Sequence, residues 1–65
     1  MIDVKALKKL LIDKGKTMRG LANYLGISKS TLYRKLNGES DFYREEMQKA
    51  REYLEENNLD FIFFA

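Results

Sequence analysis

The stretch Thr17-Met-Arg-Gly-Leu-Ala-Asn-Tyr-Leu-Gly-Ile-Ser-Lys-Ser-Thr-Leu-Tyr-Arg-Lys-Leu-Asn-Gly38 decides how this 65-residue chain is to be read. Thr17 has the side chain of an N-cap, and Leu21, Ala22 and Leu25 follow at the spacing of one buried helical side, which predicts a helix over about 18–25. Gly26 stands where a helix ends on a backbone with positive φ. Ile27 drops into the core behind it. Ser28 then caps a second helix, which runs to about Leu36 before Asn37-Gly38 stops it. Gly20, in the third helical position, costs up to about 1 kcal/mol against Ala. Two explanations fit it: the close approach of another backbone, or a surface position that packing never tuned.

The second helix is unlike a buried one. With Leu32 and Leu36 turned to the core, a step of about 100° per residue points Ser30 and Arg34 directly away. Thr31, Tyr33 and Asn37 lie on the flanks. Lys29 sits beside the core side in the first turn, where its long stem can swing outward. Two apolar anchors among so many polar side chains make a poor core helix and a good reading head. Two short helices around a three-residue corner are the pattern of a helix-turn-helix, whose second helix lies in the major groove of DNA.

Composition bears on what else is possible. There is no Cys, so disulfides and thiolate metal sites are excluded, and no His, so the usual zinc ligand and acid–base group is missing. No Asp/Glu run has the spacing of a calcium loop. Neither a metal, a cofactor nor an enzymatic reaction is expected. The longest apolar runs, residues 10–12 and 61–65, are far too short to span a bilayer, and Asp3, Lys5, Lys8 and Lys9 break up any signal-peptide stretch. A soluble, cytoplasmic, helical protein is the expectation, supported by zero prolines and many strong helix formers. The net charge of +2 is unevenly spread: residues 1–38 carry nine Lys and Arg against two Asp, or +7, and residues 39–65 carry three against eight acids, or −5. The cationic half contains the reading helix, which is the footprint a phosphate backbone favours.

Around this centre, Asp3 is a natural N-cap for a first helix over about 4–14, with Val4, Leu7, Leu10 and Leu11 as its core side and Gly15 as its stop. Residues 39–42 form a polar connection. A fourth helix over about 43–56 follows, with Tyr43, Met47, Ala50 and Leu54 as its stripe and Tyr53 adjoining, ended by Asn57-Asn58. The segment 59–65 is unusually apolar for a terminus. It is either a fifth helix closing the core, or an arm that pairs with a second subunit.

The residues Thr17, Leu21-Ala22, Leu25-Gly26-Ile27-Ser28, Leu32 and Asn37-Gly38, with a helix opening near Tyr43-Arg44-Glu45-Glu46, resemble the Cro/C1-type (XRE-like) helix-turn-helix family, and short phage regulators in particular. The likeness covers about residues 3–64. It implies an all-α, compact four- to five-helix bundle, a lambda-repressor-like DNA-binding domain occupying residues 1–65, with helix 3 in the major groove. By matching position, Ser28, Lys29, Ser30, Thr31, Tyr33 and Arg34 are its expected base-facing residues. Lys16, Thr17, Arg19, Lys35, Asn37 and Arg44 are its expected backbone contacts. The chain departs from the family at Met18, where a glutamine phosphate donor is common, and at Gly20, where a glutamate often completes a capping box with the residue at 17. Lys35 also replaces an apolar or aromatic residue.

The expected function is that of a sequence-specific transcriptional regulator, a Cro/C1-like repressor from a phage or prophage. It would bind double-stranded operator DNA of near-palindromic sequence as a homodimer, formed in solution or only on DNA, without membrane or small-molecule ligand. Arg34 suits a bidentate contact with guanine O6 and N7, worth about 1–3 kcal/mol of discrimination. Rival readings share the fold or replace it: a phage excision or replication factor, an antitoxin, or a protein-binding adaptor that uses the aromatic tail.

Overall fold

Three of the helices begin on the residues whose side chains suit a cap. Asp3 Oδ1 accepts from the Ala6 N–H at 3.0 Å, Thr17 Oγ1 from the Gly20 N–H at 3.0 Å, and Ser28 Oγ from the Thr31 N–H at 3.1 Å. Each bond satisfies an amide that the first turn leaves without a partner. The computed structural model describes residues 2–63 and holds α1 (Val4–Asp13), α2 (Met18–Leu25), α3 (Lys29–Leu36), α4 (Arg44–Leu54) and α5 (Asp60–Phe63), with no strand among the described residues.

The first four helices all end in the same way. An amide two or three residues beyond the end of each helix reaches back five residues: Lys16 to Leu11, Ile27 to Ala22, Glu39 to Arg34 and Glu56 to Arg51, at 2.8–3.1 Å. Together with the inner bonds from Gly15, Gly26, Gly38 and Glu55, these are Schellman closures. The closing residue must take positive φ. Gly26 does so at 76°, while Glu55 does so at 54° with a side chain attached.

The core is drawn from every helix: Leu7 and Leu11 of α1, Leu21, Ala22 and Leu25 of α2, Leu32 and Leu36 of α3, Ala50 and Leu54 of α4, and Leu59, Ile62 and Phe63 at the end. Burial of each large side chain contributes roughly 1.5–3 kcal/mol, so a chain this short needs nearly all of them. α2 packs on α3 and α4, and α1 packs on α5. The Asp3 N–H donates to the Ile62 carbonyl at 2.7 Å, which joins the beginning of the described chain to its end.

Some expectations are corrected. α4 is shorter than the 43–56 span: it stops at Leu54, because Glu55 adopts the left-handed conformation before Asn57-Asn58 is reached. Tyr43 is not the start of the core stripe. It is the N-cap, outside the helix, and 70% exposed. At the apolar terminus Leu59, Ile62 and Phe63 close the core as a short helix, with Phe42 edge-on to Phe63 at 5.3 Å between ring centroids. Phe61 remains 55% exposed, and Phe64 and Ala65 lie outside the described residues. Gly20 meets neither a backbone nor open surface, but the side chain of Tyr53.

Candidate nucleic-acid interface

The corner between α2 and α3 is short because it is built from a helix end and a cap with one residue between. Gly26 closes α2, Ile27 is half-buried against the core, and Ser28 opens α3. α2 and α3 pack directly on one another. Leu32 and Leu36 anchor α3 inside, so Ser30 and Arg34, a half-turn away, stand in solvent, and Lys29, beside the core side in the first turn, is exposed as well. No acidic residue lies in α3, and Arg34 occupies its last turn, where a cation also faces the negative end of the helix dipole.

Both helices of this pair lie inside a stretch that matches a known family. Residues 6–59 match the family model of the Cro/C1-type HTH DNA-binding domain. The chain belongs to that family. No curated protein and no solved structure matches it. Family membership makes the chain a DNA-binding regulator that takes double-stranded DNA as its partner, and the all-helical fold agrees with it. No helix among the described residues is long and apolar enough to cross a membrane, and no group of three His, Cys, Asp or Glu among them could hold a metal ion.

In this Cro/C1-type domain the expected contact residues fall into three groups. Lys29, Ser30 and Arg34 on α3, Thr17 and Arg19 at the start of α2, Asn37 at the end of α3 and Arg44 at the start of α4 are exposed. Ser28 and Thr31 are already engaged with one another, and Tyr33 is only partly exposed. The Ser28 hydroxyl accepts from the Thr31 N–H and donates to Thr31 Oγ1 at 2.9 Å, and Thr31 and Tyr33 are half-buried. Tyr33 also helps to line a shallow groove of about 210 Å³ with Lys8, Ile12, Lys16 and Thr17.

The third group is two lysines held by the domain itself, and Lys35 corrects an expectation. Lys35 does not face solvent: it is 6% exposed, and its ammonium is 3.0 Å from Glu46 Oε1 and donates to the Asp41 carbonyl at 2.9 Å. A cation neutralised inside the domain has no charge to offer a phosphate. Lys16 is held too, although less deeply. Its ammonium donates to the Tyr53 carbonyl at the end of α4, lies 4.7 Å from the centre of the Tyr53 ring, and is 3.8 Å from Glu55 Oε1. That carbonyl belongs to the last turn of α4, which has no amide of its own helix to bond, so the lysine acts there as a C-terminal cap.

Sequence reasoning missed the Lys35–Glu46 pair. A signal was present: on the helical wheel Lys35 lies on the flank next to the Leu32–Leu36 side, and Glu46 lies in the first turn of the following helix. Nothing in either residue alone shows that the two meet.

Proposed function

We propose that the whole chain, residues 1–65, acts as one sequence-specific DNA-binding domain and regulates transcription as a Cro/C1-like repressor of phage or prophage type, in the cytoplasm of a bacterium or infected cell. α3 enters the major groove. The observation that carries this is the segregation on α3, where Leu32 and Leu36 are buried while Lys29, Ser30 and Arg34 stand exposed with no acid among them.

Binding proceeds in two layers. Lys29, Arg19, Arg44 and the amide end of α2 neutralise or hydrogen-bond phosphates, setting register and giving affinity that falls with salt. Arg34 then reads a guanine edge, and Ser30 and the Thr31 methyl supplement it. Thr17 and Asn37 add uncharged backbone contacts. A single domain spans few base pairs, so the functional unit is a homodimer on a near-palindromic operator with half-sites about 10 bp apart. No catalytic step, cofactor or small-molecule ligand belongs to this function.

An excision or replication factor or an antitoxin would present the same surface and differ in its target. The adaptor reading is weaker, because Ile62 and Phe63 of the aromatic tail are spent on the core. Selection of duplexes from a random pool by the purified protein separates these. Enrichment of a two-fold symmetric site, located at a promoter of the source genome, supports the repressor. Enrichment of no sequence at all removes specific DNA recognition.

A further inference from the structure

Residues 40–42, between α3 and α4, make no backbone–backbone hydrogen bond among the described residues. Two features tie this connection to the domain: the Phe42 ring, packed edge-on to Phe63, and one buried ion pair that holds its polar backbone. The Lys35 ammonium sits 3.0 Å from Glu46 Oε1, donates to the Asp41 carbonyl at 2.9 Å, and lies 4.5 Å from the centre of the Tyr43 ring. The same Glu46 Oε1 accepts from the Tyr43 N–H at 2.9 Å. One cation from the end of α3 and one carboxylate from the first turn of α4 thus satisfy the polar backbone on both sides of Phe42.

A pair buried to this extent is a poor way to gain stability. Desolvation of the two charges consumes most of their attraction, and apolar replacements of similar volume are often neutral or stabilising. A buried pair does, however, accept only one arrangement of its surroundings, since a shifted connection would leave a charge without its partner. The elements it joins carry Asn37 and Arg44, which flank the connection.

We propose that Lys35 and Glu46 are positioning residues for DNA recognition. They hold the α3–α4 connection in one register, so that Asn37 and Arg44 meet the phosphate backbone at a fixed place relative to the bases read by α3. Neither residue touches DNA. The inference rests on the DNA-reading function proposed above.

The test compares wild type with the double variant Lys35→Met/Glu46→Leu on two probes: a duplex that wild type selects from a random pool, and an unselected random duplex. With the connection loosened, affinity for the selected duplex is expected to drop by roughly tenfold, while affinity for the random duplex, which needs charge and not register, changes by less than about twofold. The melting temperature is expected to fall only modestly, because the bonds to the Tyr43 N–H and the Asp41 carbonyl leave with the pair while the two charges no longer have to be desolvated. Equal affinity of both proteins for the selected duplex would overturn the inference, as would a double variant that no longer folds, since the pair would then be a stability element. Amide exchange on wild type gives an independent reading: Tyr43 is expected to be protected while residues 40–42 exchange freely, and an unprotected Tyr43 also overturns it. Failure of wild type to bind either duplex would sink the DNA-reading function itself, and this inference with it. Failure confined to the double-variant comparison removes the inference alone.

Discussion

The hydroxyl of Tyr53, on α4, fills the space that a side chain at position 20, on α2, would need. A Cβ built on Gly20 would collide with Tyr53 Oη and lie 3.1 Å from Cζ. The Tyr53 ring is further held by Tyr24, with ring centroids 5.4 Å apart, and by the Lys16 ammonium above it. Glycine here is therefore a packing residue that lets α4 lie against the start of α2. Ala would raise helix propensity by about 1 kcal/mol but force this cluster apart, and overpacking typically costs about 1–3 kcal/mol. Gly20→Ala is expected to lower the melting temperature despite its better propensity. Adding Tyr53→Phe, which removes the colliding oxygen, should recover part of the loss in thermal denaturation.

Glu55 leads to the opposite expectation. It is the non-glycine residue that closes a helix at positive φ, a conformation that costs an L-residue about 1–2 kcal/mol. Its contact with Lys16 is 3.8 Å long and mostly solvated, of the kind that contributes little. Glu55→Gly should raise stability by about 0.5–1 kcal/mol, after the greater freedom of glycine in the unfolded chain is subtracted. Chemical denaturation measures it through the midpoint.

Lys16 and Lys29 should part company when each is replaced by Ala. Lys16 caps α4, so its loss is expected to remove about 1 kcal/mol of stability, or roughly 4–8 °C in a domain of this size, with little effect on DNA binding. Lys29 is free. Its loss should leave the melting temperature unchanged and reduce the slope of log affinity against log salt by about 0.9 for one phosphate contact. Melting curves and salt titrations on the two variants decide the matter.

Much of this was legible in the chain, and the pattern of what was not is physical. The caps at Asp3, Thr17 and Ser28 are local chemistry, completed within three residues, and each forms as its side chain dictates. The core side of α3 followed from the spacing of Leu32 and Leu36 alone. By contrast, the spacing put the end of α4 two residues too late, because its closing residue is a glutamate where glycine would have marked it. Lys16 and Lys35 looked like phosphate ligands because a lysine's type suggests solvent, and the groups that hold them, Tyr53 and Glu46, lie on another helix. Gly20 was readable as an anomaly but not as a contact with Tyr53, which is far away in sequence. Local rules delivered elements and faces; pairings across helices had to be seen.

Tyr24 gives the domain a late-titrating phenol. Partial burial of its ring, then the hydrogen bond it donates to Glu52 Oε1 at 3.2 Å and the charge of that carboxylate, raise its pKa above the ordinary 10.0. The folded state therefore favours the neutral phenol. The contribution is fully present below pH 10.0 and is lost as pH rises through the raised folded-state value. At 46% exposure its size is small. Glu52→Gln keeps an acceptor but removes the charge, so the Tyr24 ring resonances, followed by NMR across alkaline pH, should titrate closer to the ordinary value. An unchanged midpoint would show that Glu52 does not act on the phenol.

The most direct measurement is fluorescence anisotropy with duplex DNA across about 50 to 200 mM salt, comparing wild type with Arg34→Ala on the duplex that wild type selects. Wild type is expected to bind with an affinity that falls steeply with salt. Arg34→Ala should lose about 1–3 kcal/mol on the selected duplex and keep most of its affinity for random sequence. Folded wild-type protein that binds no duplex at the lowest salt, or an Arg34→Ala variant that discriminates as well as wild type, would contradict recognition of DNA by α3.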